Sequence, residues 1–158
     1  MAAPLILSAP ARAERMRPVG HDVTAPATAF SIMGGGTATF DAFPGNAVVV
    51  AFWATWCAPC REELPALARL RERLGVGVLA VNAGETEARI SPFLRRNGMQ
   101  DLPVMLDPDR KAMVEWRVTG LPTAYVVGPD RRIRYVVIGE IDWDDPGVKT
   151  RILALRHV

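Results

Sequence analysis

Cysteine, histidine and lysine are all scarce in this chain. In 158 residues there are two cysteines and two histidines, and the basic residues are nearly all arginine, with Lys111 and Lys149 the exceptions. His21 and His157 lie far from the cysteines in sequence, so no third soft or imidazole ligand stands at a suggestive spacing for a metal. No stretch reaches the ~18 apolar residues that a membrane helix needs. A formal net charge of +2 is too small to imply nucleic acid or an acidic partner. No heptad or longer repeat is present. What remains is ordinary for a globular protein: 49% hydrophobic and 23% charged residues, in a chain long enough for one domain with its own core.

Both cysteines fall in one short motif, Phe52-Trp53-Ala54-Thr55-Trp56-Cys57-Ala58-Pro59-Cys60-Arg61-Glu62-Glu63-Leu64-Pro65. An apolar run over residues 47–53 leads into it and is too apolar to alternate, so it reads as a central strand buried on both faces. Leu64, Leu67, Leu70 and Leu74 lead out of it as one stripe of a helix over 58–74, stopped by Gly75 and with Pro65 expected to kink it. The strand thus delivers a dithiol to a helix start. Unpaired N–H groups and the positive end of the macrodipole favour a thiolate there, and in such motifs the thiol pKa falls from ~8.5 to roughly 3.5–7.5. Cys60, one turn on, closes a small ring with Cys57, so the pair can cycle between dithiol and disulfide. Pro59 removes a donor inside the motif and fixes φ, which tunes the couple. Glu63 projects on the side of Cys60. Two readings stay open for it: a desolvated acid that moves protons to and from Cys60, or an edge residue that reaches water.

Elsewhere, residues 30–33 and 37–40 flank Gly34-Gly35-Gly36 and predict a β-hairpin; no Lys or Ser follows at phosphate-loop spacing. Residues 76–81 predict a buried strand, 85–97 a helix bent or started late by Pro92, and 102–106 a short strand. Asp107 is expected to cap a helix from 108 to 116, with Met113 and Trp116 in the core. Residues 124–127 and 132–137 predict a hairpin, and Asp142 is expected to cap a last helix running to about 155, with Ile152 and Leu155 facing the sheet. Arg131, Arg132 and Arg134 read as solvated turn and strand residues. Strand alternating with helix implies parallel pairing. Residues 1–18, rich in Ala, Pro and Arg, read equally as the remnant of an export signal or as a disordered leader, with a single domain over 19–158.

At the dithiol motif the chain resembles the thioredoxin superfamily, and within it the TlpA/ResA-like thiol–disulfide oxidoreductases of cytochrome c biogenesis. The resemblance extends over residues 19–139 and takes in Ala25-Pro26, Ala80-Val81-Asn82, Leu106-Asp107 and Gly120-Leu121-Pro122-Thr123. It implies a thioredoxin-like α/β fold: a central mixed sheet flanked by helices, an N-terminal β-hairpin, and one extra strand–helix unit between the dithiol helix and the proline loop. It implies Cys57 as the attacking thiol, Cys60 as the resolving thiol, Glu63 as the acid typical of the subgroup, and Pro122 as a cis-proline facing the pair. Leu121 and Pro122, with Trp56 and Pro59 on the rim, become the substrate-binding candidates. The buried Asp that many thioredoxins carry six residues before the first cysteine is here Ala51, so proton handling leans on Glu63 or on water.

The function implied is reduction of disulfides in envelope proteins, apocytochrome c or copper-site assembly factors among them. No cofactor is called for. Expected partners are a disulfide-bearing protein substrate and a membrane electron donor, with no nucleic acid; the chain is expected to be a monomer and periplasmic. Two other classes are open to a lone dithiol: a copper carrier using Cys57 and Cys60 as ligands, which lacks a third ligand, and a peroxiredoxin-like peroxidase. Such peroxidases carry a Thr three residues before the reactive cysteine, where this chain has Ala54.

Overall fold

The computed structural model describes residues 15–20 and 22–157. His21, the side chain of His157 and residues 1–14 lie outside the described residues, so the readings placed on them stand as expectations. Two runs of apolar residues, Val48–Trp53 (β4) and Gly77–Ala83 (β5), are buried along their whole length and pair in parallel at the centre of the sheet. Around them stand β1 (Arg17–Pro18), β2 (Phe30–Ile32), β3 (Thr37–Ala38), β6 (Val104–Asp107), β7 (Thr123–Val127) and β8 (Ile133–Ile138). Among the described residues they form one eight-stranded sheet in the order β1-β8-β7-β4-β5-β6-β2-β3. The β4–β5 and β5–β6 pairs are parallel; β7 runs antiparallel to both β4 and β8, and β2 antiparallel to β6. The sheet is therefore mixed, and the hairpin of β2 and β3 extends one side of it.

Side chains alternate along a strand, so β4 feeds two cores. Val49, Ala51 and Trp53 point to a face covered by α1 (Ala58–Leu74), α2 (Glu87–Arg96) and α4 (Pro146–Leu153). Leu64, Leu67 and Leu70 of α1 are buried there, as the leucine stripe predicts. Val48, Val50 and Phe52 point to the other face, covered by α3 (Lys111–Glu115) and the hairpin. Trp116 centres that second core: its ring lies 5.2–6.3 Å from those of Phe30, Phe40, Phe52 and Tyr125, and its Nε1 donates to Thr28 Oγ1 at 2.9 Å.

Several boundaries differ from the sequence reading, each for a local reason. The last residues set aside as leader join the fold: Met16 is fully buried and Arg17–Pro18 pair with β8. Helix α1 runs through Pro65, and α2 through Pro92, without interruption. Buried neighbours on both sides, Leu64 and Ala66 in one case and Ile90 and Phe93 in the other, hold the helices against the sheet. Helix α2 begins at Glu87 rather than Glu85, because Gly84 turns the chain in the left-handed region (φ 77) and Thr86 becomes the N-cap. Asp107 does cap α3, but from a distance. Arg110 sits at φ 57, the helix starts at Lys111, and the Asp107 carboxylate accepts from the amides of Ala112 and Met113 at 3.0 Å each. The last helix is capped by Asp145, not Asp142: Asp145 Oδ1 accepts from the Gly147 and Val148 amides, and Pro146 supplies a preset φ at the first helical position. Asp142 instead accepts from the Asp144 amide within the preceding loop.

Candidate active site

Strand register places the candidate residues at one end of the sheet. Phe52 and Trp53, the last residues of β4, stand opposite Thr123 of β7 and Asn82 of β5. Thr123 is also opposite Ile138, the last residue of β8. The turn to Cys57, the loop before Thr123, the turn after β5 and the loop after β8 therefore all leave from the same edge. This is where the carboxyl ends of parallel strands leave room for a site.

Cys57 is the N-cap of α1, in extended conformation (φ −87, ψ 104), and its side chain caps no amide. Its sulfur is bonded to that of Cys60, with the Cα atoms 5.3 Å apart. Cys57 is 5% exposed and Cys60 1%, so the disulfide offers one edge, on the Cys57 side, to a partner. Trp56 beside it is 63% exposed, a large apolar surface on the rim. Pro59, at the second helical position, is half-buried. The Leu121–Pro122 peptide is cis; Leu121 packs against both cores, and the Pro122 carbonyl accepts from the Gly139 amide at 2.9 Å.

Glu63 is 7% exposed, which removes the reading in which it reaches water. Both its oxygens are occupied by the loop after β8: Ile141 N donates to Oε1 at 2.7 Å, and the indole of the fully buried Trp143 donates to Oε2 at 3.2 Å. Burial pushes its pKa up from 4.5 to about 7, with the two hydrogen bonds opposing the rise and nearby Glu140 adding to it. Ile141 and Trp143 were not singled out from the sequence. They lie 78 and 80 positions from Glu63, and nothing local marks a pair that distant.

A second buried carboxylate was missed altogether. Glu85, in the turn between β5 and α2, reaches across to the loop before the disulfide. Its Oε2 accepts from the Thr55 amide and from the Asn82 side-chain amide, each at 2.8 Å, and its Oε1 accepts from Thr55 Oγ1 at 2.5 Å. Thr55 in turn offers its carbonyl to Arg61 Nη1 at 3.3 Å. The network clamps the segment between β4 and Cys57 onto the end of β5. The available signal was a polar Asn82 near the end of an apolar strand, followed by an acid just beyond a glycine. Among the described residues, no group of three or more His, Cys, Asp or Glu side chains is arranged to hold a metal ion.

Comparison with known proteins agrees with this geometry. The model of the AhpC/TSA family matches residues 22–136. Thiol-disulfide oxidoreductase ResA of Bacillus subtilis (strain 168) is 36% identical over 98 residues, covering 60% of this chain and 54% of that protein. Thiol:disulfide interchange protein DsbE of Allochromatium vinosum is 35% identical over 106 residues, 67% of this chain and 59% of that protein. The chain thus spans somewhat more than half the length of these curated relatives. Among solved structures, a putative thiol:disulfide interchange protein DsbE from Chlorobium tepidum superposes with a TM-score of 0.75 at 25% identity, covering 85% of this chain and 96% of that one. A secreted thiol-disulfide isomerase from Corynebacterium glutamicum gives 0.73 at 25% identity, covering 85% and 86%. The thioredoxin-like fold is shared with both.

A carboxyl group whose pKa is raised by folding withdraws stability as pH climbs from its ordinary value, 4.5, towards about 7. Glu63→Gln is expected to flatten that fall, by roughly 3 kcal/mol across the interval. Urea melts of both proteins between pH 4 and 8 check this, and parallel curves would refute it. Glu85→Ala strands the buried Thr55 and Asn82 donors, at an expected cost of about 2–4 kcal/mol. Glu85→Gln, which keeps an acceptor oxygen, is expected to lose less. Equal midpoints for Glu85→Ala and wild type would show that the clamp contributes nothing.

Proposed function

This chain belongs to the AhpC/TSA family, and from that premise we propose that it is a thiol–disulfide oxidoreductase acting mainly as a reductant on envelope proteins. The observation that carries the reading is the placement of Cys57 and Cys60: one disulfide, at the N-terminus of α1, at the same sheet edge as the cis Leu121–Pro122 bond. The names of the relatives support it, and the Corynebacterium protein described as secreted supports a place outside the cytoplasm. No helix among the described residues is long and apolar enough to cross a membrane.

In the reduced protein the Cys57 thiolate attacks one sulfur of a substrate disulfide, and the other substrate sulfur leaves as a thiolate and takes a proton. Cys60 gives up its proton and attacks Cys57, which expels the first substrate sulfur as a thiolate; both substrate thiolates are protonated from water. The substrate gains two electrons and two protons, and the chain returns to the disulfide form. The N-terminus of α1 stabilises the attacking thiolate through its amides and dipole. Glu63, with a pKa near 7, is suited to receive the Cys60 proton and return it at the next reduction. Trp56, Pro59, Leu121 and Pro122 supply the surface on which the substrate chain lies. A membrane dithiol donor restores the reduced form, the working unit is a monomer, and a haem-attachment cysteine pair or a copper-site assembly factor is the substrate class.

Cys60→Ser removes the resolving step. Incubated with an oxidised Cys-x-x-Cys-His peptide, it is expected to accumulate a one-to-one covalent adduct through Cys57, visible by mass spectrometry and released by dithiothreitol. Absence of an adduct with this or any other peptide disulfide would sink the reading. Independently, Glu63→Gln is expected to shift the pH profile of exchange; an unchanged profile removes Glu63 from the proton path.

A further inference from the structure

A groove of about 370 Å³, lined by residues that flank the disulfide in the chain but by neither cysteine, takes no part in the exchange chemistry. One part of its wall is Thr55 and Arg61, two residues before Cys57 and one after Cys60; the rest belongs to α2. Arg61, Arg89 and Arg96 line it, and no Asp or Glu does. Arg89 and Arg96 are seven positions apart, two turns along one face of α2. All three arginines are exposed. Arg61 is steadied by its bond to the Thr55 carbonyl. Arg89 stands 3.8 Å from Glu85, whose single negative charge offsets one of the three arginines and leaves a local positive excess. Phe93 stiffens the apolar part of the wall by packing on Trp53, with ring centroids 5.8 Å apart. The chain's small net charge of +2 conceals this local excess.

We propose that this groove receives an acidic segment of the protein whose disulfide is exchanged at Cys57. The proposal rests on the oxidoreductase reading and adds a substrate preference to it. Because the groove begins at residues flanking the disulfide, a chain joined to Cys57 as a mixed disulfide lays its neighbouring residues there. Carboxylates on that chain meet Arg89 and Arg96, whose planar forks match a carboxylate with two parallel hydrogen bonds. Charges at such a rim act on encounter and on salt dependence more than on the chemical step.

The test uses three oxidised peptides that share one disulfide loop and carry aspartates, asparagines or lysines beside it. The second-order rate constant for reducing each is measured in a single turnover of pre-reduced protein. At low ionic strength the acidic peptide is expected to react about tenfold faster than the neutral one, and the lysine peptide more slowly than either. The acidic-to-neutral ratio is expected to fall towards one at about 1 M salt, where the Debye length is ~3 Å, and in the double variant R89Q/R96Q at low salt. A wild-type ratio near one at low salt, or a ratio that ignores salt or survives R89Q/R96Q, overturns the proposal. If the double variant misfolds, the salt series on the wild-type protein still decides. Failure to reduce any of the three peptides overturns the oxidoreductase reading itself, and the preference with it.

Discussion

The first turn of α1 presents amides with no carbonyl to meet, and the residue placed to satisfy them is a cysteine rather than the Ser, Thr, Asp or Asn usual at a helix start. While Cys57 is joined to Cys60 its side chain caps nothing. In the proposed exchange the reduced Cys57 sulfur ionises at this position, where a thiolate answers both the open donors and the dipole. The helix end and the redox couple are therefore one device. Strands β4 and β5, buried along their full length between the two cores, carry the chain to the end of the sheet where this sulfur stands.

Two buried carboxylates support that edge from opposite sides, and they do different things. Glu63 rides on α1 itself and is gripped by the loop after β8, through the Ile141 amide and the Trp143 indole. That same loop reaches the cis-proline segment through the bond from the Gly139 amide to the Pro122 carbonyl, so Glu63 and Pro122 share a support. Glu85 comes from the other side, out of the strand–helix unit that follows α1, and holds Thr55 in the approach to Cys57. Glu85 accepts from three donors and Glu63 from two, and for Glu63 burial outweighs those bonds and raises the pKa.

The sequence disclosed what depends on short-range pattern. The double-faced apolar run of β4, the leucine stripe of α1 and its stop at Gly75 are each written in consecutive residues, and the structure follows them closely. The dithiol and the cis bond at Pro122 were legible because their motif is long and specific. What stayed hidden depends on partners far apart in the chain. Glu85 and Thr55 are 30 positions apart, and Trp143 and Glu63 are 80. Local rules also misled where several residues of one type compete. Asp142, Asp144 and Asp145 stand in one short stretch, and Pro146 was the cue that the cap is Asp145. Met16 was set aside with the Ala-, Pro- and Arg-rich residues 1–18 because no helix or strand periodicity there marks it as core.

The sheet ends on both sides in strands of two residues, Arg17–Pro18 at one margin and Thr37–Ala38 at the other. Proline has no amide hydrogen to give, and two residues make too short a ladder for another strand to zip onto. Strands this short at both margins leave the described sheet little backbone on which a loose strand of another chain could build.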